Sequence, residues 1–488
     1  MNDPSPTERR AAAALLGLGM VAWTVAETVF ARAKALGLQS EWAFDVTFFH
    51  NLVWNTVNGN GWTQSATYHE PPGIFGETHF EPILLLAAPL YAVMPSLTTL
   101  LTVQTAVLSL GAIGVYRLLV AEGMRPLGAA LGGWVFLLWW PLIRMGQADV
   151  RPLLWALPFL LLTVAALREA RHWQAFTWGL LACLCREEVP VMVAGAAFGA
   201  LLWLKAPARA RRITAVTLAV AAGVFFVVTT LLRSNTTFYI QPERFLDKLM
   251  GTGEDQPSSW GQTPAELLPV RLRYLREWVV PAGLGIALAP EALIGSIPLW
   301  VYLFAEAHEW AGWEGPYVHH AAPAAGLFAA AAALGWGRLI RWSRIGRWLG
   351  PVVLIGLFAA EAQTLQDRWE RVMQPEWEPW AQQHDRVVEA HRLAALVPAD
   401  ASVMADWDTV HLFSGRAQVW SYHQESPEPL TVPAPGEPLN EPLLVPAGLT
   451  PAWALVKRDD HDWTARTEAA GLVERDRGSE WALFGPPD

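Results

Sequence analysis

Apolar segments long enough to enter a bilayer recur along the chain, and short basic connections lie between alternate ones. A helix needs roughly 20 apolar residues to cross, somewhat fewer inside a bundle. On that criterion spans fall near 12–32, 97–119, 127–146, 153–167, 173–185, 189–204, 213–233, 279–290, 293–306, 320–337 and 349–362. Several are short, and the pairs flanking 186–188 and 290–292 are candidates for broken or re-entrant helices. The basic connections carry Arg9 and Arg10; Arg117 and Arg125; Arg168 and Arg171; Lys205, Arg209, Arg211 and Arg212; and Arg338, Arg341, Arg344 and Arg347. With the N-terminus in the cytoplasm all of them lie there, as the positive-inside rule asks. The expectation is a mainly α, polytopic protein of the cell membrane with about eleven spans, N-terminus in and C-terminus out.

Composition agrees. Charged residues make up 16% of the chain, where a soluble domain has about 25%. The 27 tryptophans suit aromatic belts at water–lipid boundaries. "ARA" at 31–33 resembles a signal-peptide cleavage site, but the apolar run before it is longer than a usual signal core, so a retained first span is expected. Cys183 and Cys185 are two apart in an apolar helix and point away from each other, which predicts free thiols.

The same topology gathers four polar stretches on the outer face. The first outer loop, about 33–96, lacks Lys and Arg from 35 to 95 but carries Glu41, Asp45, Glu70, Glu77 and Glu81 with His50, His69 and His79. The others are "RMGQADVRP" (144–152), "CREEVP" (185–190) and "AEAHEWAGWEGPYVHH" (305–320). Residues 1–362 thus read as the transmembrane domain. From 363 to 488 apolar runs shorten to strand length, as in "ASVMAD", "AQVWSY" and "WALVKR". The stretch 471–485 reads as a hairpin turning at Arg477–Gly478, and 384–397 has helical spacing. A small soluble, extracytoplasmic α/β domain is expected there. No Gly-rich nucleotide-phosphate loop is present, and no nucleic-acid partner is expected.

Each polar cluster has a plain reading and a functional one. Asp45 shares a helix face with Glu41, as a solvated loop helix would. Arg151, before Pro152, can snorkel to the interface or pair with Asp149. Arg186, Glu187 and Glu188 between two apolar segments form either a buried ion network or an anion site. His308, His319 and His320 flank the outer end of a span, where a histidine is often structural. Glu70, Glu77, His69 and His79 have the donors for a divalent cation such as magnesium or manganese, in no diagnostic spacing. Trp42, Trp54 and Trp62 can stack on sugars or anchor the loop in the interface.

At "FDVTFFHNLVWNTVNGNG" (44–61), "THFEPILLLAAPLY" (78–91) and "LVPADASVMADWDTVHLFSGR" (396–416) the chain resembles a family of bacterial and archaeal multi-pass membrane proteins of unknown function, distantly related to GT-C glycosyltransferases. It departs at His50, where the family often has Asp, at Arg151, where it has His, and at 186–188, where it has Lys-Glu-Asp. The resemblance implies a GT-C-like fold, an essential acid in the first outer loop, and a sugar donor linked to a lipid phosphate. Glycosyl transfer from a polyprenyl phosphate needs a carboxylate to take the acceptor proton and cations for the leaving phosphate. Asp45 is then the candidate base, with Glu77 and His79 as candidate catalytic helpers. His50, Arg151, Arg186, Glu187, Glu188, His308 and His319 are candidate substrate contacts. Partners would be membrane lipid, the polyprenyl-phosphate-linked sugar and an envelope glycan, lipid or protein acceptor. The competing readings are a transporter or flippase for a lipid-linked glycan or anionic solute, and a non-enzymatic envelope assembly protein.

Overall fold

The computed structural model describes residues 4–38, 40, 43–66, 73–74, 80–203, 208–232, 269, 272, 285–297, 318–342, 385–422 and 451–487. Helix α1 (Pro6–Leu36) opens on Ser5, whose hydroxyl accepts the Glu8 N–H at 3.1 Å, a capping geometry that satisfies one otherwise orphan donor. There follow α2 (Ala43–Val57), an antiparallel ribbon of β1 (Thr63–Gln64) and β2 (Gly73–Ile74), and a 3₁₀ turn Pro82–Ala87 running into α3 (Ala88–Val93). The bundle continues with α4 (Leu97–Ser109), α5 (Gly111–Ala121), α6 (Pro126–Leu137), α7 (Trp140–Gly146), a 3₁₀ turn Pro152–Trp155, α8 (Ala156–Arg168) and α9 (His172–Cys183). Next are α10 (Val189–Trp203), α11 (Ala208–Leu232), α12 (Gly285–Leu288), a 3₁₀ turn Pro290–Ser296 and α13 (Ala322–Trp342).

Among the described residues four helical stretches are long and apolar enough to cross a membrane: Pro6–Leu36, Leu97–Ala121, Arg209–Val227 and Ala322–Ile340. Helices α6 and α7 are long and apolar enough only when taken together, as a broken span or a re-entrant loop bent by 58°. The bend was not expected from the sequence, yet its cause is there. Pro141, second in α7, brings no N–H and its ring crowds the carbonyl of Leu137, where α6 ends. The expected spans at 153–167, 173–185 and 189–204 are helices of 13, 12 and 15 residues. The span expected at 349–362 lies outside the described residues.

Helix α8 is the centre of the bundle, with every residue from Ala156 to Leu167 buried. It packs on α5, α9 and α13. Helix α10 crosses the 3₁₀ turn Pro290–Ser296 glycine on glycine, so that a methyl group at Gly195 would overlap Gly295 Cα. Cys183 and Cys185 are buried free thiols, as expected. The basic connections engage acids of their own end of the bundle: Arg125 with Glu8, Arg117 with Glu169 and Arg168 with Glu122.

Beyond the bundle, α14 (Asp385–Ala395) and α15 (His461–Ala469) cover opposite faces of a five-stranded sheet. Its strands are β3 (Val403–Asp406), β4 (Val419–Tyr422), β5 (Trp453–Lys457), β6 (Val473–Arg477) and β7 (Trp481–Gly485), in the order β4-β3-β5-β7-β6. Strand β3 runs parallel to β4 and β5, while β5, β7 and β6 are antiparallel. Alternation sorts Val403, Ala405, Leu455 and Leu483 to the α14 face and Met404, Ala454, Val456 and Phe484 to the α15 face. The expected hairpin is β6–β7, and Glu389 of α14 accepts the N–H groups of Ser479, Glu480 and Trp481 at its turn, at 2.6, 2.9 and 3.1 Å.

This small domain sits on the joint between α1 and α2. Leu38 and Ala43, from that joint, are part of the domain's own apolar core with Val387, Ala390 and Leu393. Leu38 pays for its place with a left-handed backbone, φ 58°, a conformation unfavourable to a branched side chain. His391 and His411 donate to the carbonyls of Leu36 (2.9 Å) and Ala35 (2.8 Å) at the end of α1. Asn51 of α2 donates to Arg416 O at 2.6 Å and accepts the Ser65 N–H at 3.0 Å. Ser65 Oγ in turn accepts from Val419 N at 2.8 Å and donates to Val419 O at 3.1 Å, so the exposed edge of β4 is answered by the first loop. Helix α2 ends in a Schellman turn, with Asn60 N–H to Asn55 O at 2.9 Å and Gly59 at φ 81°.

His50 belongs to this docking surface. It is buried, its Nδ1 hydrogen-bonded to Ser414 Oγ and its Nε2 to Tyr91 Oη, both at 2.6 Å. Burial, and then the neighbouring His411, push its pKa down from the usual 6.5 to about 4.

Two outcomes are expected. Gly195→Ala should destabilise the bundle by about 1–3 kcal/mol through overpacking, read as a lower unfolding midpoint in lipid. Docking should weaken on acidification. An undocked His50 takes a proton below about 6.5 that the docked ring refuses until about 4, so docking is at full strength above that window and declines as pH falls through it. Hydrogen-exchange protection of the Arg416–Val419 amides, corrected for intrinsic rates, should drop between neutral pH and the low end of the window. His50→Gln should flatten most of the drop; equal protection at both ends contradicts the assignment.

Candidate active site

The first turn of α2 carries Asp45, where the helix N-terminus favours a carboxylate. Facing it is Arg151, in the short stretch after α7. Its backbone is extended, φ −143° and ψ 101°, as the following proline favours. That geometry throws the side chain toward α2, where Arg151 Nη2 meets Asp45 Oδ2 at 2.5 Å. The pair is sheltered without being sealed, the side chains being 12% and 25% exposed. Arg151 therefore pairs with the first loop, and the alternative partner Asp149 stands beside the pair, buried.

A second wall comes from the break between α9 and α10. The backbone of the first loop is clamped there, with Ile83 N–H to Leu184 O and Phe80 N–H to Glu187 Oε2, each 3.0 Å. Arg186 is buried and pairs with Glu188 at 3.1 Å. Between the walls lies Glu81, buried just ahead of Pro82. Burial pushes its carboxyl up to about 8; Arg186 pulls the other way, and Glu187 and Glu188 add to the rise. Asp45 is also pushed up by burial, against Arg151, with Asp149 raising it further and Arg186 lowering it. Arg151 and Arg186 act on both Asp45 and Glu81, so the two walls are one electrostatic unit. An anion could take the guanidinium forks in place of a carboxylate, and a carboxylate so released becomes a stronger base.

Of the candidates read from sequence, Asp45, Arg151, Arg186, Glu187 and Glu188 come together. His50 does not join them, because both its ring nitrogens are engaged by Ser414 and Tyr91; its task is to tie α2 to α3 and to the small domain. Glu77, His79 and His308 lie outside the described residues, as does the side chain of His319. The donors considered for a divalent cation, Glu70, Glu77, His69 and His79, are in the same position. Among the described residues no group of three or more His, Cys, Asp or Glu is arranged to hold a metal ion. Trp54 and Trp62 pack against the apolar core of the bundle, and Trp42 lies outside the described residues. Glu81 was not among the expected site residues. Its signal was its place in "THFEP", two residues after His79 and directly before the proline that starts a helix.

The fold is similar to that of ArnT from Cupriavidus metallidurans bound to undecaprenyl phosphate, with a TM-score of 0.52 and 13% identity over 97% of this chain and 97% of that one. The same protein in the apo state matches at 0.46 and 13% over 96% and 98%. The archaeal oligosaccharyltransferase AglB from Archaeoglobus fulgidus, in complex with an inhibitory peptide and a dolichol-phosphate, matches at 0.41 and 11% over 81% and 63%. At such identities a likeness shows fold alone, and the first of the three shows it here: the GT-C architecture expected from the resemblance. No curated protein matches the chain. A family of predicted membrane proteins, DUF2079, matches residues 37–431, which include the α1–α2 joint, both walls of the site and the docking segment 410–419. The chain belongs to the DUF2079 family of predicted membrane proteins.

Proposed function

We propose that the chain is a membrane glycosyltransferase that moves a sugar from a polyprenyl-phosphate donor to a cell-envelope acceptor. The observation that carries this reading is the sheltered Asp45–Arg151 pair, beside Arg186, in a fold similar to that of a protein solved with undecaprenyl phosphate. The donor phosphate takes the guanidinium of Arg151, and Arg186 answers the charge that grows as it leaves. Asp45, deprived of its counter-ion in a poorly hydrated place, becomes more basic at the moment the donor is bound. It takes the proton of the acceptor hydroxyl while the acceptor oxygen bonds to the anomeric carbon. The bond from that carbon to the phosphate oxygen breaks, and polyprenyl phosphate departs.

Glu81, with its carboxyl near 8, is protonated at neutral pH and removes one negative charge from the anion's neighbourhood. The site faces outward in this reading, with the N-terminus in the cytoplasm and the domain 363–488 outside, placed to meet the acceptor. Pairing of Arg125, Arg117 and Arg168 at the other end of the bundle agrees with that orientation.

Asp45→Asn should cut transfer by about 10²–10⁴-fold while leaving undecaprenyl phosphate binding intact or tighter, since it frees Arg151. Arg151→Ala should lose the binding. Both are read with the purified chain in lipid nanodiscs, scoring labelled product and lipid affinity separately. Retained transfer in the Asp45 variant removes it as the base, and lipid movement without covalent product favours the transporter reading. Raising the pH through about 8 should weaken lipid binding in the native chain, as Glu81 ionises beside Arg186, and Glu81→Gln should abolish that decline.

A further inference from the structure

Helix α4 carries one fully buried amide, Gln104. A primary amide inside an apolar bundle is costly unless its donors and acceptor are used, and here all its bonds go to one short turn. Gln104 Oε1 accepts the backbone N–H of Arg151 at 2.7 Å. Its Nε2 donates to Ala148 O at 3.2 Å and to Asp149 O at 3.1 Å. The turn 147–151 lies between α7 and the 3₁₀ turn Pro152–Trp155; α7 carbonyls take the N–H groups of Gln147 and Ala148, and the N–H of Arg151 is left to Gln104. A leucine at 104 would serve the packing of α4 equally well. What the amide adds is a fixed backbone immediately before the side chain that meets Asp45.

The neighbouring helix approaches the same turn. Glu27 of α1, also buried, lies against Gly146 and beside Gln147 at its start. Thr28 and Thr105, each the next residue along, join their hydroxyls at 2.8 Å and lock α1 to α4. One polar layer therefore holds both the two helices and the turn between them.

We infer that Gln104 is a positioning residue, holding the 148–151 turn so that the Arg151 guanidinium is presented to Asp45 and to the anion that displaces it. Where it concerns the anion, the inference rests on the glycosyl-transfer reading; where it concerns the pair, it stands alone. An arginine side chain has many rotamers, and a fixed origin decides which of them reach α2.

Two experiments on the full chain in lipid nanodiscs separate these parts. The first is a double-mutant cycle of thermal unfolding with Gln104→Met, close in shape and without hydrogen bonds, and Asp45→Asn. Because Gln104 acts through Arg151, the double variant should lose clearly less than the sum of the single losses. Additive losses overturn the inference. Gln104→Asn, one methylene too short, replaces the methionine variant in the cycle if that variant does not fold.

The second is undecaprenyl phosphate binding by Gln104→Glu against pH. Ionised, the introduced carboxyl keeps an acceptor but cannot donate to the two carbonyls; protonated, it regains a donor. Binding should be weaker than native by roughly tenfold or more at about pH 8 and should approach the native value near pH 5. Native binding at both pH values by this variant and by Gln104→Met, which has no donor at any pH, overturns the inference. Absence of binding by the native chain overturns the proposed function instead, and the cycle then decides on Gln104.

Discussion

An arginine at the rim of an apolar bundle keeps its charge wherever it goes, so a carboxylate, an anion or water has to answer it. Arg151 is answered by Asp45, and this ties the first long loop to the bundle at a chosen point. The second wall follows the same rule: Arg186 with Glu188, and Glu187 holding the Phe80 N–H. Each of these two arginines has a carboxylate partner, but carboxyls outnumber guanidiniums across the unit. A proton on Glu81, whose carboxyl burial pushes up to about 8, lessens that imbalance.

The small domain is a second support for the same loop. Helix α2 is gripped from one side by Tyr91 of α3 and from the other by Ser414 and Arg416, with His50 and Asn51 as the contact points. These are adjacent residues, about a turn and a half beyond Asp45. The docking contacts and the Asp45–Arg151 pair therefore share one helix. Burial holds the pKa of His50 and of His411 below the ordinary histidine value in the docked form.

Much of this was legible in the chain. Hydropathy and the sorting of arginines outlined the helical bundle, and alternating apolar runs beyond residue 400 marked strands that β3, β4 and β5 occupy nearly as read. Asp45, Arg151 and the 186–188 trio stood out because charge next to lipid is costly and demands a reason. His50 misled for the same reason: a histidine among aromatics looks like a ligand contact until both nitrogens are seen to be taken. Gln104 was silent, because an uncharged residue in an apolar run carries no electrostatic signal and its three partners are backbone atoms. The 58° bend was missed at Pro141 because the apolar run passes through it unbroken. Asn51 and Ser65 gave no warning either, since their partners lie more than 350 residues away.

The α1–α2 joint has a consequence for biogenesis. Leu38 and Ala43 fill part of the core between α14 and the sheet, although they are made some 340 residues before it. This domain, synthesised after the bundle, thus lacks two of its own core residues until it meets them at the α1–α2 joint. Its core is complete only when that joint is in place, because two of the residues that fill it belong there. Released by itself, the C-terminal segment would expose an apolar hollow where that joint belongs, and a chain halted midway in insertion would leave the domain unfinished.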